Sequence, residues 1–131
     1  MVQVVYSQRQ ELFDELFKTC TEHGFDTYLN NPPDSVNYPF IVIDPVAMQT
    51  RRLGKFKVAG TLSAVVHVWS HENDVGAHDQ IMFQLENSML KLEKLETVFI
   101  EMESISPRTM NVTEGNEKLQ HGIIEVTYKF N

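Results

Sequence analysis

Three histidines lie close together in the chain, His67, His71 and His78, interleaved with the carboxylates Glu72, Asp74 and Asp79. Imidazole and carboxylate both bind zinc, but a zinc site needs three or four ligands within about 2.0–2.3 Å of one point. His67 falls on an expected strand, His71 just past its end and His78 on the next helix. They converge only if the intervening turn happens to fold them together, so ordinary surface or half-buried histidines are the expectation. His23 and His121 have no partner that the sequence identifies. Glu101 and Glu103, two apart on one strand face, form a carboxylate pair, yet nothing around them predicts the burial that would raise a pKa for acid–base work. The single cysteine, Cys20, rules out an internal disulfide and a cysteine-based zinc site. Its helical spacing from Leu16 and Phe17 points to a buried apolar thiol rather than a nucleophile. The six glycines are dispersed, and no phosphate cradle or nucleophile elbow occurs. The chain is therefore not read as an enzyme, and neither a metal nor a cofactor is expected.

The elements carrying these residues follow from periodicity. Ser7-Gln8-Arg9-Gln10 has the form of a capping box, with Ser7 capping and Gln10 reciprocating. Leu12, Phe13, Leu16, Phe17 and Cys20 then recur at helical spacing, with Glu11, Asp14, Glu15 and Lys18 on the other side, until Gly24 ends the helix. Residues 25–39, with Asn30-Asn31-Pro32-Pro33-Asp34, read as an irregular connection. Phe40 opens a strand buried on both faces, which Pro45 disturbs. The return strand alternates, with Leu62, Ala64, Val66 and Val68 facing the core. Val65, His67 and Trp69 fall on the second face, which is partly apolar and looks for cover. Asn73-Asp74 caps a second helix from about Val75 to Leu92, whose inward stripe is Ala77, Ile81, Leu85, Ser88, Met89 and Leu92. Phe83 and Leu90 fall nearly opposite that stripe. Strands follow from Thr97 to Ile105 and from Gly122 to Phe130, separated by a polar flexible loop over Ser106–Lys118. The order α, β, β, α, β, β predicts an α+β fold: a mainly antiparallel four-stranded sheet with an extended β-hairpin and both helices on one face.

At 131 residues the chain suits one domain spanning 1–131, and its 42% hydrophobic and 22% charged content is ordinary for a globular protein. No apolar run is long enough to span a membrane, and the N-terminus does not read as a signal peptide, so a cytosolic protein is expected. A net charge of −7 argues against general nucleic-acid binding. The charge is uneven: Arg51, Arg52, Lys55 and Lys57 are four of the eleven Lys and Arg residues. They sit with Phe56 in a short basic turn between the two hairpin strands. A hairpin reaching past its own core suits contact with another protein, although a charged turn that merely protects strand edges has the same composition.

An N-terminal amphipathic helix, then Tyr38-Pro39-Phe40-Ile41-Val42-Ile43, then Gly60-Thr61 leading into Val66-His67-Val68-Trp69-Ser70, a helix, and a closing His121-Gly122-Ile123-Ile124-Glu125-Val126 make up one order of motifs. In that order and spacing, from Ser7 to Phe130, the chain resembles the tail-completion (tail-terminator) proteins of long-tailed bacteriophages. The stretch Met48-Gln49-Thr50-Arg51-Arg52 departs from them, in an arm that varies widely in that family. The resemblance implies a non-enzymatic morphogenetic protein that forms a hexameric ring at the head-proximal end of the tail tube. Such a ring stops tube polymerisation and offers the surface to which the head attaches. Implied partners are other copies of the chain, the tail-tube protein and a head-completion or connector protein, with DNA passing through without specific binding. The implied locations are the host cytoplasm and then the virion. Interface residues expected on this reading are Arg51, Arg52, Lys55, Phe56, Lys57, Val65, Trp69, Phe83 and Leu90. Two other functions stay open: another connector or tail-tube-like component, and a small metal-dependent enzyme using His67, His71 and His78.

Overall fold

The computed structural model describes residues 5–32 and 36–131. Pro33 and Asp34 of the expected connection, and residues 1–4, lie outside the described residues. Helix α1 (Gln8–Glu22) begins where Ser7 Oγ accepts the Gln10 N–H at 3.2 Å. The reciprocal half of the capping box does not form, because Gln10 Nε2 donates to Asp14 Oδ1 one turn on, at 2.8 Å. At the other end Gly24 takes a φ of +84°, the left-handed conformation that glycine adopts without a Cβ clash. The Gly24 and Phe25 N–H groups then reach Thr21 O and Cys20 O at 2.9 and 3.1 Å, closing the last turn. Leu12, Leu16 and Cys20 are buried as the spacing predicts. Glu11, expected on the solvent side, is buried too, and it accepts the Thr97 hydroxyl at 2.8 Å.

Six strands form one mixed sheet, in the order β1-β2-β4-β6-β5, with β3 also paired to β4. This corrects the expected four. Strand β1 (Thr27–Leu29) runs parallel to β2 (Phe40–Ile43), inside the stretch expected to be irregular. Three residues are too few to show alternation. After β2 the chain breaks at Pro45 and resumes as β3 (Ala47–Arg52), and both β2 and β3 pair antiparallel with β4 (Val58–His71). The extended hairpin is therefore present, its outgoing side split in two.

The larger correction concerns Ser106–Lys118. In place of a loop, β5 (Glu101–Glu114) and β6 (Glu117–Phe130) form a second long hairpin, paired from Glu101↔Lys129 to Glu114↔Glu117. Accordingly β6 starts at Glu117 rather than Gly122, and β5 at Glu101 rather than Thr97, Phe99 making only an isolated bridge to Lys94. A register shift between Met102 and Ser104 interrupts the alternation on which the Glu101–Glu103 pair was read. Pro107 sits opposite Ile124 in this ladder, and its missing N–H is tolerated because β5 is an edge strand.

Helix α2 (Val75–Lys91) starts after Asp74, whose side chain makes no capping bond. It buries His78, Ile81, Met82, Leu85 and Met89, while Ala77 is exposed, so His78 takes the inward place expected of Ala77. Those residues and the buried side of α1 meet Leu62, Ala64, Val66 and Val68 of β4 and Ile124, Val126 and Tyr128 of β6. Both helices thus cover one face of the sheet. Each aliphatic side chain withdrawn there from water contributes about 1.5–3 kcal/mol. Tyr128 keeps its polar end satisfied by donating its hydroxyl hydrogen to Met89 O at 2.6 Å.

Candidate functional site

His67, His71 and His78, close in sequence, stand in three different environments. His71 lies edge-on to Tyr38, with ring centroids 4.8 Å apart. His78 is buried under α2, where Ser70 Oγ and Thr109 Oγ1 lie 2.8 and 3.1 Å from its two ring nitrogens. Neutral imidazole satisfies both contacts, because a hydroxyl can donate to one nitrogen and accept from the other. Burial lowers the His78 pKa, with nearby Asp79 opposing. Gly122 makes room for it: a Cβ there would lie 2.5 Å from Met82 Sδ and 2.8 Å from His78 Nε2. The expectation of a surface or half-buried histidine is therefore corrected at His78. Among the described residues no three His, Cys, Asp or Glu side chains are placed to hold a metal.

His67 instead joins two residues that sequence reasoning left aside. Odd-numbered residues of β4 point away from the helices, and β4 registers Trp69 against His121 of β6 and Phe40 of β2. His67 Nε2 is 2.8 Å from Asp44 Oδ2, and His67 Nδ1 is 2.8 Å from His121 Nε2. The Asp44 N–H donates to Val65 O at 3.1 Å, which holds Asp44 beside β4. An ionised Asp44 only accepts, so Nε2 of His67 carries the hydrogen, and a neutral His67 accepts from His121 through Nδ1. His121 in turn stacks on Trp69, with centroids 3.9 Å apart and planes 8° from parallel. Burial lowers the His121 pKa, helped by the neighbouring His67 and by Arg108 and opposed by Asp44. His121 has the partner that could not be named from sequence; finding it requires the β4–β6 register.

This polar and aromatic row floors a groove of about 670 Å³ on the sheet face away from the helices. Tyr38, Phe40 and Val42 line one part, and Glu114 stands at the rim. The Tyr38 phenol pKa is raised first by burial and then by the Glu117 and Glu114 carboxylates, so the groove borders an acidic turn. Cys20, by contrast, is sealed in the core, where burial pushes its thiol up to about 12.

The nine residues expected at an interface fall on three surfaces. Arg51, Arg52, Lys55, Phe56 and Lys57 cluster at the tip of the β3–β4 hairpin, beyond the end of β6, and all are exposed. Phe56 is 92% exposed, with Lys55 Nζ 5.7 Å from its ring centre. Val65 and Trp69 are half-buried on the groove face. Phe83 and Leu90, 58% and 50% exposed, lie on the solvent side of α2, in the layer opposite the groove. The sequence reading passed over Phe99, 74% exposed at the foot of the hairpin arm, because its place beside that arm is visible only in the fold.

These features define an α+β domain fold: two helices on one face of a six-stranded mixed sheet that carries two long hairpins. Among solved structures, one of the virion of a native gene transfer agent particle contains a chain with a TM-score of 0.62 at 9% identity. The match covers 94% of each chain. The gp17 protein of bacteriophage SPP1 superimposes with a TM-score of 0.60 at 17% identity, over 99% of this chain and 96% of that one. At such identities the similarity is one of fold. No family model matches the chain, and no curated protein matches it in sequence.

Proposed function

We propose that this chain is a virion morphogenesis protein of the tail-completion type. It forms a ring at the head-proximal end of the tail tube, ends tube polymerisation and presents the surface that joins the head. The observation that carries the reading is the fold shared end to end with a chain of a gene transfer agent virion and with a bacteriophage protein. Two features of the chain support it. Its hydrophobic and charged residues at candidate contacts lie on three separate surfaces, as a subunit with two unlike neighbours and a tube beneath it requires. Two of its histidines are each held between two side chains, in the rows Asp44–His67–His121 and Ser70–His78–Thr109. In this reading the protein is not an enzyme, acts first in the host cytoplasm and then at the head–tail junction, and binds DNA nowhere specifically. A net charge of −7 would keep passing DNA off the wall of the ring.

The test is deletion of the gene in its phage. Tails whose tubes run to uncontrolled length are expected. Tails of normal length that fail to join heads would assign the protein to another position in the connector, and intact infectious particles would overturn the proposal.

A further inference from the structure

The two hairpins end at opposite ends of the sheet and carry opposite charge. β4 runs from Val58 to His71, a length of about 45 Å at roughly 3.3 Å per residue. At its Val58 end stand Arg51, Arg52, Lys55 and Lys57, none paired with a carboxylate among the described residues. At its His71 end the β5–β6 turn brings Glu114 and Glu117 beside the turn that precedes α2, with Glu72 and Asp74. The Glu72 N–H joins these turns by donating to Lys118 O at 3.0 Å. All four carboxylates are exposed, with Lys118 the one lysine or arginine within these two turns. The two ends of one rigid sheet cannot reach each other, so the attraction is satisfied only between molecules.

Shape agrees with charge. The basic tip carries a protruding aromatic ring, Phe56, flanked by Lys55 and Lys57. The acidic end borders a groove lined by Tyr38, Phe40, Trp69 and His121, with Asp44 on its wall and Glu114 at its rim. That groove has ample room for one phenyl ring. We propose that the β3–β4 arm of one copy docks on the next copy, with Phe56 seated in the aromatic groove and the arm cations against Glu114, Glu117 and Asp44. The knob and its receptor are different surfaces, so the contact is head-to-tail and propagates around a ring. This rests on the ring reading and identifies the contact that builds the ring.

The experiment is sedimentation velocity on the full chain, alone and bound to tail tubes, from about 50 to about 500 mM salt. The wild-type chain is compared with Phe56→Ser, with Lys55→Glu plus Lys57→Glu, and with Glu114→Lys plus Glu117→Lys. All of these residues are exposed and lie in or next to a hairpin turn, and thermal melts check that each variant folds. Each variant alone is expected to need a concentration at least about tenfold higher to assemble. Mixing the two charge-reversed variants in equal amounts restores assembly, since every junction then pairs opposite signs. The chain has one tryptophan, Trp69, on the groove floor. Its fluorescence is expected to change when the wild type assembles and to remain unchanged under the same conditions in Phe56→Ser. Oligomers that form normally in all three variants overturn the arm-in-groove contact and leave the ring reading standing. A wild-type chain that forms no oligomer in either setting removes both.

Discussion

A buried imidazole that the fold keeps neutral makes stability depend on acidity. His78 and His121 both have pKa values held below the ordinary 6.5, in each case first by burial. The unfolded chain therefore takes up protons that the folded chain refuses. Their contribution is complete above about 6.5 and is lost as pH falls through that value towards the folded pKa values. Thermal melts are expected to show a lower midpoint at about pH 5 than at about pH 7. His121→Phe, which keeps an aromatic ring on Trp69, should flatten that dependence; an unchanged profile would show that His121 is not one of the groups responsible. Trp69 itself is half-buried and stacked on one face. Trp69→Ala should cost about 2 kcal/mol in a denaturant titration, below the value for a core tryptophan. Gly60 is less forgiving, because a Cβ there would press on Gln49 O and on the Phe130 ring at 2.8 Å. Gly60→Val is expected to lose about 2–3 kcal/mol by overpacking. At this scale the sequence identified the core positions of β4 and the buried thiol. It did not reveal the Asp44–His67–His121–Trp69 row, whose members come together only once strands distant in the chain are in register.

Elements were legible where one face meets the core and obscure where neither does. Both helices and the β4 alternation follow from spacing, and the end of α1 at Gly24 from the residue type. The outer half of β5 was invisible for a physical reason: from Ser106 to Glu114 nearly every residue is exposed, so no apolar period exists to read. β1 was too short, and β3, also exposed along most of its length, carried the basic composition of a turn. Besides the His78 contacts to β4 and β5, a tyrosine ties α2 to the sheet. The Tyr128 hydroxyl on β6 donates at 2.6 Å to Met89 O in the last turn of α2, a carbonyl that also accepts the Leu92 N–H at 3.3 Å. Tyr128→Phe should cost about 1–2 kcal/mol, with the loss read as a shifted denaturation midpoint at constant slope. A neutral result would mean that this carbonyl is satisfied equally well without the phenol.

Across the whole molecule, the acidic balance hides a division: four of the eleven Lys and Arg residues gather at one end of a long sheet and a group of four carboxylates at the other. The composition alone shows an acidic chain, and only the topology turns that into a molecule with two unlike ends. In the proposed arm-to-groove contact this polarity makes docking sensitive to ionic strength, so raising salt from about 0.1 to about 0.5 M should weaken it. A contact held by apolar burial alone would tighten or stay unchanged, which light scattering across that range distinguishes.

β5 has one further consequence. A flank of fourteen residues presents a row of amide groups to any stray chain in extended form. The tertiary amide nitrogen of Pro107, which carries no hydrogen, and the register shift between Met102 and Ser104 spoil that template at two places, so the chain can be concentrated without clumping into fibres. Pro107→Val would remove one of these guards while leaving the fold intact, and concentrated stocks of that variant should turn cloudy and bind thioflavin sooner than the parent.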